Sequence, residues 1–329
     1  MTAARAGHTA TTLPDFRVLI AGGRNQRGEV LASTEVYDPN TEKFTAAHSM
    51  STPREGHIAA VLEDAKIVIA GGKTRGGVTL ASTEDYDYET GKFTWRGNMH
   101  ARRFRPTATT LRDGRILVTG GEDGSLPLDS AETYDVLTGK WTVVGKMTTA
   151  RANHSATLLA NGRVLIVGGT GAKRAALASV EIFDPKTNKF TAAANLHEAR
   201  FSHTTALLPT GKVFIAGGAS GAGASDILAS AEIYDPQSGN FTPTAMLNEP
   251  RYRLPDSTLL LDGRVLIAGG AASAEIYDPR AGTFSTVSGG LDAPRYYPAI
   301  IQLMDGSVRI FGGSDAKGLS TAKSWTYRP

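Results

Sequence analysis

The sequence predicts an all-β protein, a seven-bladed β-propeller, and three observations support this fold. A Gly-Gly pair closes a short apolar run seven times, at spacings of 43 to 52 residues. Each repeat holds four segments of strand length, separated by turn residues. No segment keeps a helical period over ten residues. Four-stranded repeats of this length are typical of propeller blades, whereas ankyrin and TPR repeats need helices.

The elements of one repeat can be assigned in order from its first copy. An arginine opens the repeat and the first strand follows it. The second strand is the apolar run before Gly-Gly, RVLIAGG at 17–23, and the third is TEVYDP at 34–39. The fourth strand carries an aromatic residue, Phe44. Turns such as Asp113-Gly114 suit tight hairpins because glycine tolerates positive φ. We expect one domain over 1–329, with repeats starting near residues 5, 54, 103, 151, 200, 251 and 295.

The two ends of the sequence predict that blade 7 has only three strands. Residues 1–5 are in phase with residues 147–151, so the sequence starts just after a fourth strand would end. It finishes at 325–329, in phase with a third strand. The expected result is an exposed strand edge, which would allow self-association or recruitment of another chain.

Composition excludes several classes of function. The 329 residues include no cysteine, which rules out disulfides, thiolate metal sites and cysteine nucleophiles. Thirty-five basic and 32 acidic residues give a charge of +3 with no Lys/Arg run, so no nucleic-acid partner is expected. No apolar stretch has the length of a membrane span and MTAARAGHTA lacks a signal-peptide core, so we expect a soluble protein without a membrane partner. The compartment stays open, since a cysteine-free chain suits an oxidising compartment or a bacterial cytoplasm.

Residues that recur in every blade are interpreted as framework. The recurrent glutamates, of which Glu35 is the first, are expected to pair with the blade-start arginines, because a buried carboxylate needs a partner. Four histidines also recur, each fourteen residues before a Gly-Gly pair: His8, His57, His154 and His203. Equivalent positions spread around a ring and cannot converge on one ion. We therefore expect no metal and no cofactor. His100 and His197 fall off this phase and are interpreted as loop residues without a partner.

Residues that do not recur indicate the functional site. The positions after each blade-start arginine begin the innermost strand and should line one mouth of the central channel. Their variety, with aromatic, arginine, asparagine and one carboxylate side chains, is typical of a pocket. The predicted ligand-binding residues are Glu55, Phe104, Arg105, Asn153, Phe201, Tyr252, Arg253, Tyr296 and Tyr297.

Symmetry breaks most strongly in blades 3, 6 and 7. Pro106, Pro255 and Pro298 stand there at the histidine position, and only four residues separate Gly270 from Glu275, which should lower one wall of the mouth. Blades 1 and 2 offer glycine beside the channel, at Gly7 and Gly56, so their side is expected to be open. An opposing interpretation is that the aromatic residues merely plug the channel.

The pattern Arg-x-x-His, apolar strand, Gly-Gly, Glu-x-Tyr-Asp, aromatic resembles the kelch motif over the whole chain. Two segments, RLPDSTLLLDGRVLIAGG at 253–270 and RYYPAIIQLMDGSVRIFGG at 295–313, make it resemble the seven-bladed central domain of galactose and glyoxal oxidases. That resemblance implies a copper-radical site, yet Tyr297-Pro298 and Leu254-Pro255 stand where those oxidases have Tyr-His. Their tyrosine–cysteine cofactor is also impossible without cysteine.

Two classes of function follow. The first is a non-oxidase propeller that binds a carbohydrate, an acidic small molecule or an acidic peptide, or another protein, at the mouth. The second is a metal-free isomerase, lyase or hydrolase that uses Glu55, a tyrosine or an off-phase histidine as acid or base. No catalytic residue is assigned.

Overall fold

The computed structural model describes residues 1–62, 65–255 and 257–329 and shows seven antiparallel sheets arranged as the blades of a propeller. The innermost strands of successive blades contact each other around the ring, and blade 7 contacts blade 1. The seven-bladed, kelch-type prediction is confirmed.

The strands of each blade run in chain order from the channel to the rim. Blades 1 to 3 consist of Thr9–Thr12, Val18–Ala21, Thr34–Asp38 and Lys43–Ala47; Ile58–Val61, Ile67–Ala70, Ser82–Tyr86 and Phe93–Asn98; Thr107–Thr110, Ile116–Thr119, Ser130–Asp135 and Lys140–Lys146. Blades 4 to 6 consist of Ser155–Leu158, Val164–Val167, Val180–Asp184 and Lys189–Ala192; Thr204–Leu207, Val213–Ala216, Ala231–Asp235 and Asn240–Pro243; Thr258–Leu259, Val265–Ile267, Ala274–Asp278 and Thr283–Val287. Blade 7 consists of Ala299–Gln302, Val308–Phe311 and Ser324–Tyr327.

Little else is regular. A two-stranded ribbon, Glu122–Asp123 with Leu126–Pro127, rises from blade 3, and two 3₁₀ turns lie at Ala172–Arg174 and Ala224–Asp226. No helix in the described part of the chain is long and apolar enough to cross a membrane.

The core lies between blades. The second strand of every blade is buried along its whole length because neighbouring blades cover both of its faces. Recurrent aromatic residues join adjacent blades: the Tyr37 ring lies 4.8 Å from Phe44 in its own blade and 5.5 Å from Phe311 in blade 7. These aromatic residues therefore pack within and between blades.

The Gly-Gly pairs lie where two blades approach most closely. A Cβ on Gly120 would come within 2.3 Å of the Arg151 carbonyl oxygen of the next blade, and its φ is +56°. The carbonyl oxygen of Gly120 in turn accepts a bond of 2.8 Å from Arg103 Nη1. Glycine is required there by both space and backbone conformation.

The recurrent arginines and glutamates form buried ion pairs in blades 1 to 6, as predicted. Arg5, for example, lies 3.0 Å from Glu35, and both side chains are almost fully buried. The glutamate also accepts backbone N–H bonds from the chain that enters its blade, such as those of Thr2 and Ala3. Each of these buried charges thus lies beside an opposite charge, which burial demands. Blade 7 differs, because Arg295 pairs with Asp292 and lies over the Trp325 ring.

The recurrent histidines tie each blade to its predecessor. His57 Nε2 lies 3.1 Å from the Thr9 hydroxyl, and His203 Nε2 lies 2.9 Å from Ser155 Oγ. His154 repeats the contact with Thr107. His8 faces blade 7, where Ala299 holds the equivalent position, and neither of its ring nitrogens has a partner among the described residues. Their structural interpretation is therefore supported.

Two sequence-based assignments are wrong. His100 and His197 do have partners: their Nδ1 atoms lie 2.9 and 2.8 Å from Glu132 and Glu232. Both follow a buried apolar residue that precedes the blade-start arginine, Met99 or Leu196, and so reach the recurrent glutamate. In blade 6, Leu254 and not Pro255 fills the space of the imidazole, because its Cδ1 lies 3.1 Å from where a Gly217 Cβ would be.

Blade 7 has three strands in the described part of the chain, as predicted from the phase of the two ends. The third, Ser324–Tyr327, pairs with Val308–Phe311 on one side only.

Candidate functional site: the channel mouth

A ring of backbone bonds surrounds one end of the channel. The second residue after each blade-start arginine has φ between +51° and +66°: Gly7, Gly56, Arg105, Asn153, Ser202, Arg253 and Tyr297. The amides of five of them, Gly7, Gly56, Arg105, Ser202 and Tyr297, donate to the equivalent carbonyl oxygen of the neighbouring blade; Gly56 N, for instance, donates to Gly7 O at 2.9 Å. Five of these seven residues are not glycine, and the left-handed conformation costs such residues of order 1 kcal/mol each. Such strain is typical of sites where side chains are held for function.

The side chains of this ring meet across the mouth. Arg105, in blade 3, donates through Nη1 to the Tyr297 hydroxyl of blade 7 at 2.7 Å, and its guanidinium lies 4.0 Å from the centre of the same ring. The Arg105–Tyr297 pair therefore extends across blades 1 and 2, because the equivalent residues of those two blades are the glycines Gly7 and Gly56.

Alternating cations and aromatic rings extend from this pair. On one side Arg105 lies 4.8 Å from the Phe104 ring, and Lys73 covers that ring at 4.0 Å. On the other side Arg253 lies 5.6 Å from the Tyr297 ring. We call this series of contacts the cation–aromatic ladder. It brings together predicted residues of blades 3, 6 and 7.

The blade 6 end of the ladder carries two more tyrosines. Arg253 lies 4.9 Å from the Tyr252 ring and 5.6 Å from the Tyr296 ring, and the two rings are 5.4 Å apart. Ala6 holds the position in blade 1 that Tyr252 holds in blade 6. Ala6 forms a backbone bridge to Arg24, which follows the Gly-Gly pair, whereas no bridge among the described residues involves Tyr252. The short loop of blade 6 therefore leaves this end of the ladder without the hairpin that covers the other blades.

Glu55 is held by two cations, Arg24 and Lys73, that were not among the residues predicted from the sequence. Arg24 binds its carboxylate through Nε and Nη2 at 2.8 to 2.9 Å, and Lys73 Nζ lies 3.8 Å away. Burial, together with Arg105 and Arg24, lowers the pKa of Lys73 from its usual value. Arg24 and Lys73 each directly follow a Gly-Gly pair, a position that also varies between blades. Applying the same test of non-recurrence to that position would have found them.

The remaining predicted residues lie outside the ladder. Asn153 joins the backbone ring, and its Nδ2 lies 3.5 Å from Thr170 Oγ1 of its own blade. Phe201 forms a backbone bridge to Ala219, and its ring contacts no other aromatic ring or cation of the described residues.

The expectation of an open side at blades 1 and 2 is half wrong. Space is free at Gly7, where an added Cβ would meet nothing closer than 3.8 Å. At Gly56 an added Cβ would come within 2.4 Å of the Phe104 ring and 3.1 Å of Arg105 Cγ. The large side chains of blade 3 therefore lean over the glycine of blade 2 and occupy its share of the mouth.

Beneath the mouth, a cavity of about 390 Å³ runs between the innermost strands and is lined in part by Arg105, Asn153 and Tyr297. Histidines and threonines of the inner strands make its wall polar. Three of the nine predicted residues, Arg105, Asn153 and Tyr297, thus line the cavity. Phe201 lies apart from the others, and the remaining five lie at the mouth.

The charges of the mouth favour binding of an anion. Arg105 and Arg253 have no carboxylate within ion-pair distance in the described part of the chain, and both are half-buried. Glu55 is neutralised by Arg24 and Lys73, so it is poorly placed to act as a free base. Two guanidinium groups among tyrosine rings offer a bidentate fork for a carboxylate and flat surfaces for stacking.

The residues do not fit the copper centre that the oxidase resemblance implies. Pro298 and Pro255, at two positions where that resemblance calls for histidine, have no donor atom. Both prolines lie against Gly269 instead. No group of three or more His, Cys, Asp or Glu side chains in the described ranges could hold a metal ion.

Comparison with known proteins gives the same fold. A family model described as the Attractin/LZTR1 beta-propeller matches residues 1–228. No curated protein sequence matches the chain. A solved structure of a fungal alcohol oxidase of the AA5 family, in complex with copper, is 20% identical, with a TM-score of 0.78 over 95% of this chain and 71% of that one. In all, 1221 solved chains match, so the fold is common and by itself selects no function.

Proposed function

We propose that this chain, which belongs to the Attractin/LZTR1 β-propeller family, binds a small carboxylate-bearing ligand, such as an acidic sugar, at the channel mouth. The supporting observation is the contrast between two sets of arginines. The blade-start arginines of blades 1 to 6 are buried and ion-paired, whereas Arg105 and Arg253 are held among aromatic rings with no carboxylate of residues 1–62, 65–255 and 257–329 at ion-pair distance. A ligand carboxylate would supply the missing partner.

The tyrosines suit the rest of such a ligand. Tyr252 and Tyr296 stand 5.4 Å apart at the end of the ladder where blade 6 has no covering hairpin. Flat aromatic surfaces stack on the apolar faces of sugar rings, and tyrosine hydroxyls can bond to sugar hydroxyls. Arg105 would fix the anion, with its orientation set by Tyr297.

The test is calorimetric titration with glucuronate and galacturonate against glucose and galactose. We expect only the acids to bind. Arg105→Ala, Arg253→Ala and Tyr297→Ala should each weaken binding roughly ten- to hundredfold, because a charge-assisted bond typically contributes about 1.5–3 kcal/mol.

Arg102→Ala is the matched control, since Arg102 is exposed and lies beside the buried Arg103. It should leave both affinity and melting temperature unchanged. Equal binding of neutral and acidic sugars, or an equal loss in Arg102→Ala, would contradict the proposal. Acidic peptides tested in the same way distinguish a protein ligand from a small molecule.

A metal-free enzyme is the second candidate, and the Lys73–Glu55 pair is the observation that favours it. Burial and the neighbouring guanidinium groups lower the pKa of Lys73 from its usual value, so its ammonium gives up a proton more readily, and Lys73 lies over Phe104 beside Arg105. Incubation with the same acidic sugars, followed by mass and NMR analysis, should then show turnover that Lys73→Met abolishes while binding persists. Bound ligand recovered unchanged would exclude this activity for these compounds.

A further inference from the structure

The outer edge of blade 7 differs from that of every other blade. In blades 1 to 6 a fourth strand covers the third, but in the described part of the chain nothing pairs with the outer side of Ser324–Tyr327. The backbone groups on that side are therefore free to pair with an added strand.

The six complete blades define what normally lies there. In each, an aromatic residue of the fourth strand stands directly opposite the aromatic residue of the third: Tyr37 and Phe44, Tyr86 and Phe93, Tyr134 and Trp141, Phe183 and Phe190, Tyr234 and Phe241, Tyr277 and Phe284. The ring centroids of these pairs are 4.8 to 5.0 Å apart. Threonine or serine always follows the fourth-strand aromatic.

Blade 7 keeps half of this pair. Tyr327 pairs with Val308 as Tyr37 pairs with Val18, so it holds the third-strand aromatic position. The six equivalent aromatic residues are at most 3% exposed, whereas Tyr327 and the rest of its strand are only half-buried. Because blade 7 has no fourth strand among the described residues, Tyr327 has no aromatic residue opposite it on its outer side.

The space for that partner is open. A groove of about 200 Å³ runs between the outer strand of blade 6 and the edge of blade 7, lined in part by Val287, Leu291, Trp325 and Tyr327. Apolar walls beside free backbone groups suit an extended peptide, whose backbone pairs while alternate side chains enter the groove. The outer strands of the complete blades also have a free side, but most residues of these strands are exposed, and no described aromatic residue there lacks its cross-strand partner.

We propose that blade 7 binds an extended segment of a partner polypeptide, which adds as an antiparallel fourth strand. The segment carries an aromatic residue opposite Tyr327, followed by threonine or serine opposite Thr326. This binding surface is separate from the channel mouth and does not depend on the function proposed there.

The probe is a capped synthetic peptide with the sequence of residues 40–47, NTEKFTAA, added to the intact chain. We expect saturable binding by fluorescence anisotropy and slower amide hydrogen exchange in residues 324–327. The same peptide with Phe44→Ala should bind at least tenfold more weakly, because it lacks the ring that would face Tyr327.

Two protein variants locate the binding. Tyr327→Ala should weaken the peptide about tenfold, while Trp95→Ala, an exposed aromatic on the outer strand of a complete blade, should change nothing. Should Tyr327→Ala fail to fold, hydrogen exchange of the unmodified chain still decides the matter.

Three results would overturn the proposal: no binding, equal binding of the Phe44→Ala peptide, or protection that excludes residues 324–327. A concentration-dependent dimer that the peptide dissociates, seen by sedimentation, would identify a second copy of this chain as the occupant and contradict a separate partner.

Discussion

Four buried neutral histidines should make the propeller sensitive to mild acid. Burial, reinforced by Arg5, lowers the pKa of His8 to about 3, and burial with Arg200 does the same for His203. The pKa values of His57 and His154 are also well below the usual 6.5, for the same reason. Between about pH 3 and 6.5 the unfolded chain binds protons at these positions that the native protein does not. Stability therefore falls as the pH falls below 6.5.

The size of the effect follows from the same linkage. At pH 5 each such histidine destabilises the native state by about 2 kcal/mol, since one pH unit corresponds to about 1.4 kcal/mol and the gap from 6.5 is about 1.5 units. His8→Pro should remove one of these contributions. Proline should be tolerated at position 8, because Pro106 and Pro298 occupy the equivalent position in blades 3 and 7 and also follow a residue with positive φ. Gly7, which precedes His8, has φ +66°. The loss of unfolding free energy between pH 8 and pH 5 should be about 2 kcal/mol smaller in this variant.

Urea denaturation followed by tryptophan fluorescence, at pH 8 and pH 5, measures both values. His48→Gln is the control, because His48 is exposed and should not affect the difference. Ala299→Ser should offer His8 Nε2 the hydroxyl that Ser155 offers His203, and raise stability by about 1 kcal/mol at both pH values. The reasoning fails if His8→Pro keeps the pH dependence of the unmodified protein, or if His48→Gln reduces it equally.

Three further outcomes can be measured with the same denaturation assay or by elemental analysis. Glu181→Gln should cost about 3 kcal/mol because it leaves Arg151 as an unpaired buried charge, whereas Asp262→Asn in an exposed pair should cost under about 0.5 kcal/mol. Gly120→Ala should destabilise by more than about 2 kcal/mol, since its Cβ would strike a carbonyl oxygen, while Gly124→Ala, with open space around it, should cost about 1 kcal/mol. Elemental analysis after washing with a chelator should find no copper, zinc or iron in stoichiometric amount.

The repeat made the fold predictable from sequence, because each blade repeats one set of packing requirements. Gly-Gly marks the close approach of blades, and the Arg–Glu pair follows from the need to neutralise a buried charge. Seven copies in phase average out the variation of any single blade. The three-stranded blade 7 followed from the same phase, since residues 1–5 match the chain that follows a fourth strand.

The mouth was predictable in position but not in detail. Non-recurring residues indicated which positions face it, yet long side chains can lie over a neighbouring blade. Phe104 and Arg105 do so above Gly56, and Lys73, from the position after the Gly-Gly pair of blade 2, reaches over the Phe104 ring of blade 3. Blade 6 has one additional residue between its arginine and its Gly-Gly pair. Counting back from Gly-Gly therefore assigned Pro255 to the histidine position, which Leu254 occupies. The first error arises because long side chains extend over a neighbouring blade, and the second because of a local insertion. The repeat period predicts neither.

The pairing of histidine and hydroxyl across blades can be tested where one member is missing. Ser155→Ala removes the partner of His203 and leaves a buried nitrogen unbonded, so we expect a loss of about 1–3 kcal/mol. Thr204, one blade further on, is almost fully buried, and its hydroxyl has no partner among the described residues because Leu254 fills the imidazole's space. Thr204→Val should therefore be neutral or stabilise the protein by up to about 1 kcal/mol, since it replaces an unbonded hydroxyl with a methyl group of similar size. Urea denaturation at pH 8 compares the two variants, and an equal loss in both would show that these hydroxyls contribute by packing and not by bonding to histidine.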